Sequence, residues 1–516
     1  MEKTIVLYPG LGVGHFNPMM QLAAALLERG YAVTVALIGH DSLAAAVRRV
    51  ASSMPSVRIH TLPPVQDHPA LALDGPSSLL LSYLRLLDRY NGRLHYLLCS
   101  TRRAHALHSV LGDGESRRKG SRELGDGPVE FFGLPPVPAS HLLAELLEDP
   151  ESDAYKATMA AMYRIPEASG ILVNTFRSLE ARAVAALRDP RCLPGRVLPP
   201  VYCVGPLIGS SGDGEATSPR HECLAWLDGQ PDRSVVFLCF GSMTNWGLQS
   251  EEQLGEMAVG LDNSGHRFLW VVRAPGGDGV PDLSALLPGG FLERTDGRGL
   301  VVKLWAPQVD VLRHRATGAF VTHCGWNSAL EGVTAGVPML CWPMYAEQRM
   351  NKLFMVEEMR VAVEMVGWQQ GLVKAGEVEG KVRMIMESEE GRELRVRAAA
   401  QKEGAAVAWN DGGSGRAALA QFLAEVDSRQ PLARDGEAID GLGDGGFAQH
   451  DALVLHRTDG RRPQLIPSLL FGGWPTAPTQ HDALVPRRAG DRRPAPIILL
   501  RPSLLSDGWP YAPILL

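Results

Sequence analysis

Cysteine is scarce and scattered in this sequence, and its pattern argues against two kinds of stabilised fold. There are only seven cysteines among 516 residues, and no two of them form a CxxC pair. An odd, dispersed set of thiols argues against both a disulfide framework and a zinc site. The pattern predicts a protein of a reducing compartment, the cytoplasm, without a metal centre.

A surplus of positive charge and a long apolar run are also missing. The formal net charge is −6, with 51 lysines and arginines against 57 acidic residues, so the composition does not indicate nucleic acid or an anionic membrane as a partner. The first apolar run is interrupted by Pro9 and Gly10, and no later run approaches a membrane span. We therefore expect a soluble protein without stable membrane association, whose ligand binds in a pocket.

A strand–helix–strand pattern, in contrast, occurs twice. Residues 4–10 are a short apolar run, residues 18–30 have helical spacing, and residues 31–38 are rich in β-branched side chains. The second half repeats this order with a helix at 251–265, and its further apolar runs are 234–243, 267–272, 298–307, 318–325 and 337–343. The alternation predicts an α/β protein with two doubly wound, Rossmann-like domains.

Composition divides the chain further. A polar, Gly/Ser-rich stretch at 209–220 is typical of a linker, and it separates an N-terminal domain, 1–208, from a C-terminal domain, 221–426. Residues 111–127 are rich in glycine and charged residues and show no hydrophobic periodicity. We therefore expect the N-terminal domain to be incomplete there. Residues 427–516 contain 11 of the 37 prolines and no lysine, and we expect them to be an unstructured extension.

One corner of the second domain has a dense set of polar side chains. The stretch FVTHCGWNSALEG starts at Phe320, where an apolar run gives way to a helical pattern. A helix N-terminus after a glycine-containing loop can bind an anion, because free N–H groups and the helix dipole both favour negative charge. Asn327 and Ser328 fit as phosphate ligands, with His323 and Gly325 lining the approach. The alternative is that Asn327 and Ser328 only cap the helix and His323 is a core histidine.

The continuous stretch from Trp305 to Gln348, WAPQVDVLRHRATGAFVTHCGWNSALEGVTAGVPMLCWPMYAEQ, resembles the signature box of the plant secondary-product UDP-glycosyltransferases. The resemblance covers most of residues 1–426 and includes the motifs GLGVGHFNPMMQLA, GILVNTFRSLE and WNDGGSGRAALAQFL. It implies a GT-B fold, in which two Rossmann-like domains face each other across a cleft. It also implies transfer of a sugar from a UDP-sugar, with UDP-glucose as the donor substrate and no further cofactor.

The resemblance assigns the residues of the box to parts of the donor. It implies that Trp305 stacks on uracil, that Ala306 and Gln308 reach the edge of the base, and that Glu331 accepts the ribose hydroxyls. A solvated helix glutamate is the alternative for Glu331. The family's remaining donor ligands, those of the diphosphate corner and of the sugar, correspond to Ser242, His323, Gly325, Trp326, Asn327, Ser328, Glu347 and Gln348. A terminal glutamine such as Gln348 usually accompanies glucose.

A second site follows the first strand, in the motif GVGHFNP. His15 lies where open α/β sheets bind ligands, and its counterpart in the family takes the proton from the attacking hydroxyl. Attack from the face opposite UDP would invert the anomeric centre without a metal ion. The alternative is that His15 only packs in the loop.

The sequence departs from the family in the middle of the N-terminal domain. The resemblance implies an aspartate that orients the catalytic histidine, but the strand that should end with it stops near 104–107. Asp88, Asp113 and Asp126 are the nearby candidates. Two hypotheses therefore stand: a monomeric glucosyltransferase for a small phenolic or flavonoid-like acceptor, and a degenerate relative that binds UDP-sugar without catalysis. The sequence does not identify the acceptor.

Overall fold

The structure is a computed structural model, and it describes only part of the chain. The described residues are 3–9, 13–38, 47–48, 52–62, 126–163, 168, 170–192, 198–209, 220–241, 250–274, 279–428, 452–453, 497–502 and 514–515. Several predicted features therefore lie outside them, namely Ser242, Asp88, Asp113 and most of the irregular segment 111–127.

The first sheet belongs to the N-terminal domain. Its early strands are β1 (Thr4–Leu7), β2 (Ala32–Ile38) and β3 (Val57–Leu62), and a small separate hairpin consists of β4 (Pro128–Val129) and β5 (Val137–Pro138). The later strands of the sheet are β6 (Ile171–Val173) and β7 (Val201–Cys203), followed by three from the end of the chain: β14 (Ala452–Leu453), β15 (Ile497–Pro502) and β16 (Ile514–Leu515). The strand order is β3-β2-β1-β15-β16-β6-β7, with β14 paired to β15.

The second sheet has six parallel strands, as the apolar runs predict. They are β8 (Val235–Cys239), β9 (Arg267–Val272), β10 (Gly299–Lys303), β11 (Thr317–Thr322), β12 (Met339–Cys341) and β13 (Ala362–Glu364). The order is β10-β9-β8-β11-β12-β13. The direction of winding therefore reverses between β8 and β11, which makes their carboxyl ends the expected position of a ligand.

Helices cover both sheets. They are α1 (Val13–Leu27), α2 (Asp153–Tyr163), α3 (Ala181–Leu187), α4 (Glu222–Asp228), α5 (Glu251–Ser264), α6 (Leu283–Leu286), α7 (Phe291–Arg294), α8 (Gln308–Arg313), α9 (Trp326–Ala335), α10 (Gln348–Leu353), α11 (Ala375–Glu387), α12 (Glu389–Trp409) and α13 (Ser414–Ser428). A π-helical turn, Phe354–Glu358, follows α10. Among the described residues, no helix is long and apolar enough to cross a membrane.

Helix α1 begins earlier than the sequence predicts. The helical spacing of residues 18–30 predicts a helix with Pro18 in its first turn, where proline is favoured, but the helix begins at Val13 and Pro18 lies inside it. The difference matters because it makes His15 and its neighbour Gly14 helical residues.

The boundary at residue 426 is wrong in one respect, because α13 does not pack on the C-terminal sheet. Phe422 of α13 contacts Tyr202 of β7 edge to face, with ring centroids 5.4 Å apart. Asp427, in the last turn of the helix, forms an ion pair with Lys3 at 2.6 Å and accepts a hydrogen bond from the Tyr31 hydroxyl at 2.9 Å. The chain therefore returns to the N-terminal domain after completing the C-terminal one.

The expectation of an unstructured segment at 427–516 is wrong where the end of the chain forms strands. Strand β15 pairs in parallel with β1, from Thr4 opposite Ile497 to Leu7 opposite Leu500. Strand β16 then connects β15 to β6 through antiparallel pairing. The run Ile-Ile-Leu-Leu at 497–500 is an ordinary strand signal, which the surrounding prolines obscured.

Candidate active site

The carboxyl ends of β8 and β11 meet in a close contact between Gly241 and His323. Gly241 has φ +83°, and a Cβ placed on it would lie 2.6 Å from His323 Nε2. Any other residue would both strain the backbone and push the imidazole away. The exit of β8 thus fixes the position of the histidine that follows β11.

His323 is neutral at physiological pH. Its side chain is fully buried, and this burial lowers the pKa of the imidazole to about 3. The ring of Tyr345 lies beside it, with centroids 6.3 Å apart. His323 can therefore act as a neutral hydrogen-bonding group towards a phosphate, but it does not supply a positive charge.

Helix α9 begins at this corner, and its polar side chains are not caps. The N-cap is Gly325, without a side-chain cap hydrogen bond, so the interpretation of Asn327 and Ser328 as mere capping residues is wrong. The Asn327 amide donates a hydrogen bond to the carbonyl oxygen of Gly14 at 2.7 Å, and the Ser328 hydroxyl accepts one from Gln308 at 2.9 Å. The N–H groups of a first helical turn have no acceptor within the helix, so the anion site expected here is compatible with this geometry.

Three of the predicted donor ligands form one hydrogen-bonded group. The Gln308 amide nitrogen donates to Glu331 Oε2 at 2.6 Å as well as to Ser328. Loss of hydration raises the pKa of Glu331 to about 7, and the hydrogen bond from Gln308 partly opposes the rise. Glu331 is therefore not a solvated surface glutamate.

Trp305 presents an open aromatic surface. Its side chain is 55% exposed, which is unusual for tryptophan, while the next residue, Ala306, is buried. The ring of His221 contacts the indole edge to face at 5.6 Å, which supports the orientation of Trp305. An exposed and supported indole is suited to stacking on a planar base.

Strained backbone occurs beside each part of the box. Leu304, Cys324 and Ala346 have φ values of 67°, 65° and 62°. Each of them adjoins a predicted ligand, because they precede Trp305, follow His323 and precede Glu347. Left-handed conformations of non-glycine residues concentrate at functional sites, where they direct neighbouring side chains. No sequence pattern predicts a left-handed backbone at these three positions.

The last two residues of the box are buried at the start of α10. Gln348 is fully buried, and its side-chain oxygen accepts hydrogen bonds from the backbone N–H groups of Met344 at 2.9 Å and Tyr345 at 3.0 Å. Its Nε2 is buried, with the Tyr345 side chain as a neighbour. Glu347 is the N-cap residue and is also buried. An amide held in place in this way is suited to binding a sugar hydroxyl.

Trp326 makes a contact that sequence reasoning missed. Its indole nitrogen donates a hydrogen bond to the carbonyl oxygen of Asn174 at 2.8 Å, just after β6 in the N-terminal domain. The Asn174 side chain is itself bound by the backbone N–H of Leu207 at 2.7 Å. The only signal was the motif GILVNTFRSLE, which contains Asn174 and to which no role was assigned.

His15 is the third residue of α1, and its side chain is buried. The bond between Asn327 and Gly14 places the backbone next to His15 against the start of α9. Of the candidate orienting carboxylates, Asp126 accepts a hydrogen bond from the Ser140 hydroxyl and lies near a different histidine, His141.

Comparison with known proteins identifies the family. The profile described as UDP-glucoronosyl and UDP-glucosyl transferase matches residues 196–388. The anthocyanidin 5,3-O-glucosyltransferase of a Rosa hybrid cultivar is 39% identical over 469 residues, which cover 81% of this chain and 98% of the rose protein. The phloretin 2'-O-glucosyltransferase of Malus domestica is 37% identical, over 83% of this chain and all of the apple protein.

Solved structures agree with this assignment. The structure of Phytolacca americana UGT2 complexed with UDP-2fluoro-glucose and pterostilbene superposes with a TM-score of 0.70 at 32% identity, covering 82% of this chain and 100% of that one. Medicago truncatula UGT71G1 complexed with UDP-glucose gives 0.68 at 28% identity, over 82% and 98% of the two chains. The alternative of a catalytically degenerate relative finds no support, since the matches span nearly the whole length of the relatives. The chain is therefore a UDP-glycosyltransferase of the GT-B fold.

Proposed function

We propose that the protein transfers glucose from UDP-glucose to a hydroxyl group of a small phenolic or flavonoid-like acceptor. One observation carries this proposal: the side chain of Asn327, at the start of α9 (the donor helix), reaches across the cleft to Gly14, the neighbour of His15. The group that would hold the diphosphate and the group that would remove the proton are thereby next to each other. The rose and apple relatives are glucosyltransferases of such acceptors by name.

In the proposed reaction, the acceptor oxygen attacks the anomeric carbon of glucose from the face opposite UDP. A new C–O bond forms as the bond between glucose and the diphosphate breaks, so the anomeric centre inverts. His15 accepts the proton that the hydroxyl releases. His323, Asn327 and Ser328, with Ser242, which follows β8 in the sequence, would hold the departing diphosphate and stabilise the charge that develops on it.

The remaining residues of the box would position the donor. Trp305 would stack on uracil with Ala306 and Gln308 at its edge, Glu331 would accept the ribose hydroxyls, and Glu347 and Gln348 would bind glucose. Gly325 and Trp326 shape the corner at the start of α9. We also propose that the enzyme is a monomer and that it works in the cytoplasm; the second point is supported by the six cysteines of the described segments, which are all free, as expected in a reducing compartment.

The test is product formation from UDP-glucose with a panel of phenols and flavonoids. We expect transfer that is lost in His15→Ala, while calorimetric UDP affinity stays unchanged in that variant. Trp305→Ala should weaken UDP binding by about 1–3 kcal/mol, and Trp305→Phe should restore most of it because a stacking face remains. A preference for UDP-galactose in competition, or transfer that survives His15→Ala, would contradict the proposal.

A further inference from the structure

Pro18 changes the hydrogen bonding of α1 at the residue that precedes His15. In an α-helix the N–H of each residue donates to the carbonyl four residues earlier. Residue 18 is a proline inside α1, so it has no N–H to donate to the carbonyl of Gly14. The proline ring also crowds that carbonyl and favours its turning away from the helix axis.

The carbonyl of Gly14 has a partner in the other domain instead. Asn327 Nδ2 donates to it at 2.7 Å, across 313 residues of sequence. The preceding residue, Trp326, donates its indole N–H to Asn174 O at 2.8 Å. Two consecutive residues of the donor helix thus bind two backbone carbonyls of the N-terminal domain. The Gly14 oxygen is available for this bond because Pro18 has no N–H to donate to it.

We propose that Pro18 is a positioning residue for the transfer reaction. By leaving the Gly14 carbonyl available to Asn327, it fixes the helical turn that carries His15 against the corner that holds the diphosphate. This inference rests on the function proposed above, in which His15 accepts the acceptor's proton. It assigns no contact between Pro18 and substrate, because Pro18 is buried and acts through Gly14 and Asn327.

The test compares Pro18→Ala with Met19→Ala. Pro18→Ala supplies the missing N–H, which then competes with Asn327 for the Gly14 carbonyl. We expect kcat to fall by about 100-fold, the size of effect that a displacement of about 1 Å produces at a catalytic group, with little change in KM for UDP-glucose. Met19→Ala removes a fully buried side chain of the same helix without adding a donor. It should lower Tm more than Pro18→Ala does and leave kcat nearly unchanged.

Retained kcat in Pro18→Ala, or a loss that both variants share, would overturn the inference. A second readout needs no transfer activity: Tm is measured for Pro18→Ala, Asn327→Ala and the double variant. If the cross-domain bond depends on Pro18, the second substitution has a smaller effect after the first, whereas additive shifts would refute it. Should the wild type bind UDP but transfer nothing, the proposed function fails, and this cycle alone decides the role of Pro18.

Discussion

The indole nitrogen of Trp326 lies 2.8 Å from the carbonyl oxygen of Asn174, and both residues are buried. The bond joins the first residue of the donor helix to the corner that follows β6. That corner is tightly built, because a Cβ on Gly205 would lie 2.6 Å from the Asn174 side-chain oxygen and from the Thr175 nitrogen. The two domains therefore meet at a point with little freedom to adjust.

A first prediction concerns the stability that this bond provides. Trp326→Phe keeps a buried aromatic ring but leaves the Asn174 carbonyl without its partner, which should cost about 1–3 kcal/mol. The matched control is Trp270→Phe, because Trp270 is fully buried and its Nε1 has no partner among the residues described. Urea denaturation of both variants measures the difference. Equal losses of unfolding free energy would show that the bond adds nothing.

The contact between Gly241 and His323 gives a second prediction. Gly241→Ala introduces both a left-handed alanine and a clash with the imidazole, whereas Gly265→Ala at φ +72° introduces the strain alone, since no atom lies within 4 Å of its Cβ. The strain should cost about 1–2 kcal/mol in either variant. Only Gly241→Ala should also lose UDP affinity in calorimetry. If UDP binds both variants alike, His323 does not take part in donor binding.

A third prediction follows from Glu331, whose pKa is raised to about 7 from its ordinary 4.5. A carboxyl group with a raised pKa stabilises the folded protein below pH 4.5, and this contribution disappears as the pH rises through 7. Binding of UDP-glucose requires the ionised form of Glu331, because only the carboxylate accepts hydrogen bonds from both ribose hydroxyls. Affinity for UDP-glucose should therefore be about tenfold weaker at pH 6 than on its plateau above pH 8.

Glu331→Gln is the control for this pH dependence. Its affinity for UDP-glucose should be weaker than that of the wild type and independent of pH between 6 and 8. UDP-glucose is the suitable ligand for this measurement, because its diphosphate is esterified on both sides and its charge does not change between pH 6 and 8. A wild-type affinity that does not change with pH would mean that Glu331 is already ionised at pH 6 or does not bind the ribose.

The fourth prediction reverses an expectation drawn from the sequence. If residues 427–516 were an unstructured extension, a chain that ends at Ser428 would be as stable as the full chain, but such a chain lacks β15, the strand paired with β1. We expect a lower Tm, by about 2–4 °C for each kcal/mol of pairing lost, with UDP affinity preserved in the C-terminal domain. Leu499→Pro in the full chain should act like the truncation, and Leu499→Val should not. An unchanged Tm in both the truncated chain and Leu499→Pro would show that β15 does not support the sheet.

The order of strands, loops and helices around the box could be predicted from the sequence because its signals are local. The glycine, the polar residues and the apolar runs of the box lie within 44 consecutive residues, so the order of strands, loops and helix follows from their periodicity. The contacts between the domains could not be predicted in this way. Gly14 and Asn327 are 313 residues apart, and no local sequence pattern predicts a hydrogen bond from a side chain of α9 to a carbonyl of α1.

The strand β15 near the end of the chain could not be predicted from local sequence either. Prolines and repeated glycines made residues 427–516 resemble an extension without structure, and four apolar residues at 497–500 were too weak a signal against that background. Whether such a run forms a strand depends on the partner available to it. Here the partner is β1, almost 500 positions earlier in the sequence, and pairing over that distance has no counterpart in local propensity.

The pairing of β15 with β1 also sets the order of events during synthesis. Domains of a growing chain usually fold from the N-terminus onwards, as each is released. In this protein β1 acquires its inner neighbour only after residues 497–502 have been made, so the first domain to be translated is the last to be completed. Until then the edge of β1 that β15 covers remains open to solvent or to another strand. Premature termination anywhere before β15 would therefore damage the beginning of the protein as well as its end.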